Sequence, residues 1–389
     1  MGQDKTVDVS GMLKVVMLPS VGGGIGHLSR TAALARALAA LDSRVQVEYL
    51  LDTERLRPFN IDACRLMGFR PRFLPPRNRD NRDAIVRACL DDANVIVDDC
   101  SRYLQPLSRC VPQAAWVSIP MHPIGDELFM DWPNMAQMDL ILWAYAPLVG
   151  VPTELDVVAD RLVETGPFLE TEGVPGRTEA RRALGLRTVG PHVTYAPRGF
   201  PFGREFGHRV LASVFGAINE LRQSEFPDLE LVLLAVGDPS DLKGVDGVPE
   251  TLPDWVRVEG VVTPAQSLLH ASAADIVIGE GTSTMHEAAA LRSALVLMPG
   301  PIREAELLAQ GLARESAAST FTRAQTTVEA LMAEFRTALT PGRALENRLD
   351  RARELVTGGG GARRAAEAIL GLSRPSLLAK RIARRSDLS

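Results

Sequence analysis

Lysine is nearly missing from this chain: of 43 basic side chains only Lys5, Lys14, Lys243 and Lys380 are lysines, the rest arginines, a bias typical of GC-rich coding sequence. A basic surplus is missing too. The formal net charge is −5, and a general nucleic-acid binder needs a clustered basic surface to neutralise phosphates. No nucleic-acid partner is expected, and any anion site has to be local. Cysteine is scarce: Cys64, Cys89, Cys100 and Cys110 form no CxxC pair and no Cys/His zinc spacing, which suggests neither a disulfide framework nor a structural metal. No apolar run reaches the ~18 to 20 residues of a membrane span. No charged start, apolar core and small-residue cleavage site precedes Leu13, so the expected setting is the cytoplasm.

What is present is length and rhythm. A chain of 389 residues with 46% hydrophobic content has material for two ordinary cores. Short apolar runs at 13–18, 45–51, 95–97, 114–119, 140–143 and 162–165 alternate with helical patterns, the mark of βαβ units and a parallel sheet. After a Gly/Glu/Arg-rich stretch the rhythm restarts at 192–196, 231–236, 256–258, 276–278 and 295–298. The expected fold is therefore α/β, with two doubly wound, Rossmann-like domains facing across a cleft. The predicted boundaries are 1–170 for the first domain, 171–190 for a hinge-like linker, 191–357 for the second domain, and 358–389 for a last helix and a basic tail. The tail carries Arg374, Lys380, Arg381, Arg384 and Arg385 among leucines; it reads either as a solvated terminal helix or as a peripheral contact with an anionic membrane.

Two glycine turns stand at equivalent places in this rhythm. Gly22-Gly23-Gly24-Ile25-Gly26-His27 follows the first strand and opens a helix, and Gly279-Glu280-Gly281-Thr282-Ser283-Thr284-Met285-His286-Glu287 does so in the second half. In open α/β sheets ligands bind beyond the carboxyl ends of the strands, and a helix start offers unpaired N–H groups to an anion. In the first turn an imidazole, His27, occupies the place of the third glycine of G-x-G-x-x-G. A histidine at a helix mouth suits proton abstraction near neutral pH, or simply caps the helix. Asp98 and Asp99, ending a strand on the same rim, are both placed to fix its tautomer; Asp98 is the preferred partner, with helix capping as the plain alternative. In the second turn Thr282, Ser283 and Thr284 offer hydroxyls to phosphate, and Glu287 offers a carboxylate to two adjacent hydroxyls such as a ribose presents. Thr284 with Glu287 also fits a capping box that needs no ligand. Arg198, after the first strand of the second half, is a further phosphate candidate.

These residues resemble the GT-B glycosyltransferases, in particular the group of the peptidoglycan N-acetylglucosaminyltransferase and the antibiotic glycosyltransferases. The resemblance rests on Gly26-His27, on Gly281 to Ala290 with Val296-Leu297-Met298-Pro299-Gly300-Pro301, and on Thr165-Gly166-Pro167-Phe168-Leu169. It implies His27 as base and Gly24 and Gly26 on the acceptor side, where His122 joins them as a candidate from the stretch 119–138. It implies Glu287 on the ribose of a nucleotide-sugar donor, UDP-linked, 281–284 on its diphosphate, and Gly260 and Val262 against its base. It implies no further cofactor, and an acceptor that is a small molecule or lipid-linked. Many relatives hold the donor sugar with an acidic residue followed by Gln; here Glu304 is followed by Ala305, so Glu304 alone is the sugar candidate. No DxD-type metal signature stands in a convincing place, and metal independence is expected. The stretch 119–138, with several methionines, is read as an acceptor wall or as plain core. Three other readings stay open: a nucleotide-sugar hydrolase, which the stretch 25–30 also resembles; an NAD-dependent oxidoreductase with Asp52 on a ribose; and a non-catalytic nucleotide-sugar-binding subunit.

Overall fold

The structure, a computed structural model, describes residues 12–21, 25–54, 56, 58–74, 81–100, 111, 113–121, 135, 137–196, 204–234, 242–244, 247–260, 262–281, 283–300, 303–322, 324–358 and 360–372. The first half builds a seven-stranded parallel sheet from β1 (Leu13–Pro19), β2 (Val45–Asp52), β3 (Pro71–Leu74), β4 (Val95–Asp99), β5 (Ala115–Ile119), β6 (Leu140–Trp143) and β7 (Leu162–Glu164), in the order β3-β2-β1-β4-β5-β6-β7. The second half builds a six-stranded parallel sheet from β8 (His192–Ala196), β9 (Glu230–Leu233), β10 (Val256–Val258), β11 (Ile276–Gly279), β12 (Ala294–Leu297) and β13 (Ser319–Thr320), in the order β10-β9-β8-β11-β12-β13. In both the strand order reverses once, between β1 and β4 and between β8 and β11. Ligand crevices form at such switch points, and both glycine turns lie there.

Parallel strands are covered on two faces, which is why their sequences run apolar almost without a break. In β1 and β4 the side chains of Val15, Met17, Val95 and Val97 join one core with α1 (Gly26–Leu41), while those of Val16, Leu18 and Ile96 join another on the opposite face. This alternation decides below which aspartate meets His27. The second core runs from the first sheet through Tyr145, Leu148 and Val149 into Leu308, Ala309 and Leu312 of α8 (Arg303–Arg314), so the two halves share apolar contact.

The crossing between the halves is shorter than predicted. Helix α4 (Arg177–Ala183), inside the expected linker, is fastened to the second half: Arg177 Nη1 and Arg181 Nη2 donate to the two oxygens of Asp275 at 2.8 and 2.7 Å, and Arg181 Nε donates to Ala273 O at 2.9 Å. Phe168, before it, is buried in the first half's core. The stretch left to bend is 169–176. The chain then crosses back. After α10 (Arg343–Thr357), which belongs with the second half, α11 (Gly361–Leu372) buries Ala362, Ala365, Ala366 and Ile369 against α1. Its first residue, Gly361, lies so close to the carbonyls of Gly166 and Pro167 that no side chain fits. The two crossings therefore touch, the geometry of a hinge. The basic tail, 373–389, lies outside the described residues. Among those residues no helix is long and apolar enough to cross a membrane.

Contact between the halves is close-packed at Gly311 of α8, where a Cβ would overlap the carbonyl of Leu148. Gly311→Ala should lower stability by about 1 to 3 kcal/mol through overpacking, read as a fall in melting temperature. Gly371→Ala, with nothing within 4 Å of the added methyl, should leave the melting temperature unchanged or raise it.

Candidate active site

The site is built from the first turns of two helices that meet head on. Helix α1 begins at Gly26 and α7 (Ser283–Ala290) at Ser283, and Ser283 Oγ lies 3.0 Å from where a Cβ on Gly26 would stand. Neither helix carries an acidic residue in its first turn, and no side chain caps the start of α1. Two partial positive ends are thus pressed together across the halves, an arrangement that an anion between them would stabilise.

His27 is the second residue of α1. Its Nδ1 lies 3.0 Å from Asp99 Oδ1. The partner is Asp99, not the preferred Asp98, and the strand's alternation explains it. Asp99 extends the row Val95, Val97 that faces α1, whereas Asp98 follows Ile96 on the opposite face. Asp99 has no exposed side-chain surface and is held from a second direction by Arg30, whose Nε donates to Oδ2 at 2.7 Å and whose Nη2 donates to Oδ1. Burial works against the Asp99 carboxylate, but the charges of Arg30 and then His27 outweigh it and hold it down at about 2. An ionised carboxylate accepts only, so the Nδ1 proton faces Asp99, and in the neutral imidazole the lone pair is on Nε2. That is the tautomer a general base needs.

Arg30 was not anticipated, although its place one turn after His27, at i+3, is legible in the sequence. Its Nη2 also donates to Cys100 Sγ at 3.2 Å, while the thiol donates to Ile119 O at 3.1 Å. His27 Nδ1, Asp99 and Cys100 Sγ lie within 4.8 Å of one another, close enough to hold a metal ion. Arg30 already supplies a cation there, its guanidinium donating to both Asp99 and Cys100. Asp91 and Asp92 are apart from the site, Asp92 accepting from Lys14 Nζ at 2.7 Å.

Glu287, one turn into α7, is buried and accepts from Ser267 Oγ on α6 (Pro264–Ala273) at 2.5 Å. The capping-box alternative is excluded, because α7 begins at Ser283 and Thr284 lies inside it. Thr263 caps α6 one turn before Ser267, so the segment holding Gly260 and Val262 leads into the helix whose Ser267 bonds Glu287. Gly281 adopts φ +89°, and a Cβ there would stand 2.7 Å from Ala305 O. Only glycine fits, and the turn is thereby locked to the start of α8. There Glu304 accepts from Tyr145 Oη of the first half at 2.8 Å. Tyr145 had no signal in the sequence; it follows β6 in an unremarkable apolar run.

Asp52, the ribose candidate of the oxidoreductase reading, accepts from Glu54 N at 3.0 Å and closes its own turn. Met135 and Met138 are core residues, and the rest of the expected acceptor wall, 122–134, lies outside the described residues. Gly24, His122, Arg198 and Thr282 lie outside the described residues.

No protein-family model matches this sequence, and no curated protein does. Solved structures do match. The glycotransferase of kitacinnamycin superposes with a TM-score of 0.64 at 18% identity, over 94% of this chain and 99% of that one. MurG of Acinetobacter baumannii does so with a TM-score of 0.61 at 16% identity, over 92% and 99%. The chain has the GT-B fold. MnaA of S. aureus, solved with UDP, is also similar, with a TM-score of 0.62 at 10% identity over 93% and 96%, so this GT-B fold is shared beyond proteins named as transferases.

Burial raises Glu287 from its usual 4.5 to about 7, the Ser267 bond offsetting only part of the rise. The folded state therefore keeps a proton that the unfolded chain gives up, and stability is lost as pH rises from about 4.5 through 7. Glu287→Gln removes that loss. The variant should be more stable than the parent by about 3 kcal/mol at pH 8, the difference vanishing towards pH 4.5, as denaturant melts at several pH values would read.

Proposed function

We propose that this protein is an inverting, metal-independent glycosyltransferase that moves a sugar from a nucleoside-diphosphate donor, UDP-linked, to a hydroxyl or amine of a small-molecule or lipid-linked acceptor in cytoplasmic natural-product or cell-envelope biosynthesis. The observation that carries this reading is the pairing of His27 with buried Asp99 at a helix start that meets the helix of Glu287. A base on one half and a diol acceptor on the other suit a reaction between two substrates held by different domains.

In the proposed reaction the acceptor O–H or N–H gives its proton to His27 Nε2 as the acceptor atom attacks the anomeric carbon. The bond from that carbon to the diphosphate oxygen breaks, and its electron pair leaves with the diphosphate. A single displacement inverts the anomeric centre. Asp99 stabilises the imidazolium that forms, and the first-turn N–H groups of α7, with Arg198, stabilise the leaving charge. Glu287 accepts from the ribose hydroxyls, Gly260 and Val262 meet the base through their backbone, Thr282, Ser283 and Thr284 meet the diphosphate, and Glu304 meets the sugar. Gly24, Gly26 and His122 border the acceptor. Closure about 169–176 excludes water and aligns the partners.

A hydrolase would use the same base on water, and product analysis separates the two. Mass spectrometry of reactions with a panel of activated sugars and candidate acceptors should show a glycosylated acceptor, formed equally well with EDTA. Free sugar without acceptor would favour the hydrolase, and protection from heat by NAD alone would remove both. His27→Ala should bind UDP as the parent does and lose about 10²- to 10⁴-fold in transfer rate. Unchanged turnover would exclude His27 as base and favour a binding subunit whose activity belongs to a partner.

A further inference from the structure

One polar contact between the halves is not used by the reaction above. Tyr145 follows β6 in a turn of the first half that lies along one face of α8. The backbone of Leu148 is pressed onto Gly311, and two helical turns back the phenol of Tyr145 reaches Glu304. The ring is 2% exposed and packs edge-on against Trp143, with centroids 4.8 Å apart. Its orientation is therefore set by the first half's core. Burial, reinforced by the Glu304 charge, keeps the phenol protonated and a donor. Glu304 itself is half-buried, and its other oxygen has no hydrogen-bond partner among the described residues. The neighbouring side chain is of no help, because Ala305 is fully buried and its carbonyl lies under Gly281. The positive charge of Arg30, which holds Asp99, also acts on the phenol.

We propose that Tyr145 is the positioning residue for donor-sugar recognition: from the acceptor half it fixes one oxygen of Glu304, so that the other accepts from a sugar hydroxyl only when the halves are closed. This rests on the glycosyltransferase reading and adds to it. A carboxylate with both oxygens free rotates and accepts from hydroxyls in several directions. With Oε1 held, Oε2 has one direction left, and an epimer whose hydroxyl points elsewhere leaves it unsatisfied. Where the domain that carries the donor would otherwise lack a second polar side chain, the opposite domain supplies the restraint. Sugar selection is thereby coupled to closure.

The test is calorimetric titration of the parent and of Tyr145→Phe with UDP and with UDP-glucose, UDP-galactose and UDP-N-acetylglucosamine. UDP affinity should be equal in the two proteins. The best UDP-sugar should bind Tyr145→Phe about tenfold more weakly, the worth of one hydrogen bond to a charged group, and the preference among the three sugars should narrow by the same factor. Glu304→Gln should show the same split, and the double variant should lose no more than either single one, since the two side chains act through one contact. Equal loss of UDP and UDP-sugar binding would mean a structural role and overturn the proposal. So would a sugar preference within twofold of the parent's. A parent that binds no nucleoside diphosphate would instead remove the glycosyltransferase reading, and this proposal with it.

Discussion

The Asp99 carboxylate is the constraint on which the rest of the site depends. It has no contact with solvent, and a buried charge is tolerated only when opposite charge and hydrogen bonds replace the lost water. Arg30 supplies two bonds and His27 a third. The geometry of α1 follows from this need. Residues 27 and 30 lie on one face of the helix, so a single carboxylate reaches both only if the first turn of α1 sits over the end of β4. The imidazole is then fixed in direction by a carboxylate that is itself held from a second side, as the proposed base would require.

The second half is arranged around the same line. Ser283 approaches Gly26, Gly281 lies against Ala305, and Glu304 meets Tyr145, so each of these second-half elements is located against either its own helix α8 or the first half. Such contacts between halves fix distances that a flexible crossing at 169–176 would leave free. They also bring two helix starts together, an arrangement of like partial charges that is electrostatically unfavourable. Like the raised Glu287, it is a cost in the free protein that a bound diphosphate and diol would relieve.

Much of this was legible in the sequence, and the losses have physical causes. Parallel strands with helices on both faces announce themselves as short apolar runs, and the second glycine turn marks its switch point because only glycine fits at position 281, with a φ of +89° against the carbonyl of Ala305. Adjacent aspartates at a strand end could not be ranked without knowing which face of β4 carries α1; one residue of register decides between Asp98 and Asp99. The linker was read too long because α4 owes its attachment to Asp275, about 95 residues further along the chain. Tyr145 and Glu304 are more distant still, and nothing in the local pattern of either joins them.

Glu287 shows how the two levels fit together. Its spacing from the glycine turn suits both a capping box and a ribose ligand, and sequence alone weighs them equally. The structure removes the first, since the helix begins two residues too early, and leaves a carboxylate buried with one hydroxyl partner. A carboxylate so placed is under-supplied with donors: it accepts from Ser267 alone among the described residues, and its affinity for a proton rises accordingly. Two adjacent hydroxyls would supply the missing donors and favour the ionised form. Binding a diol should therefore expel a proton near neutral pH, whereas binding a 2′-deoxynucleotide, with one hydroxyl fewer, should expel less. On the proposed reading, the same shortage of donors that raises Glu287 would make the site selective for a diol.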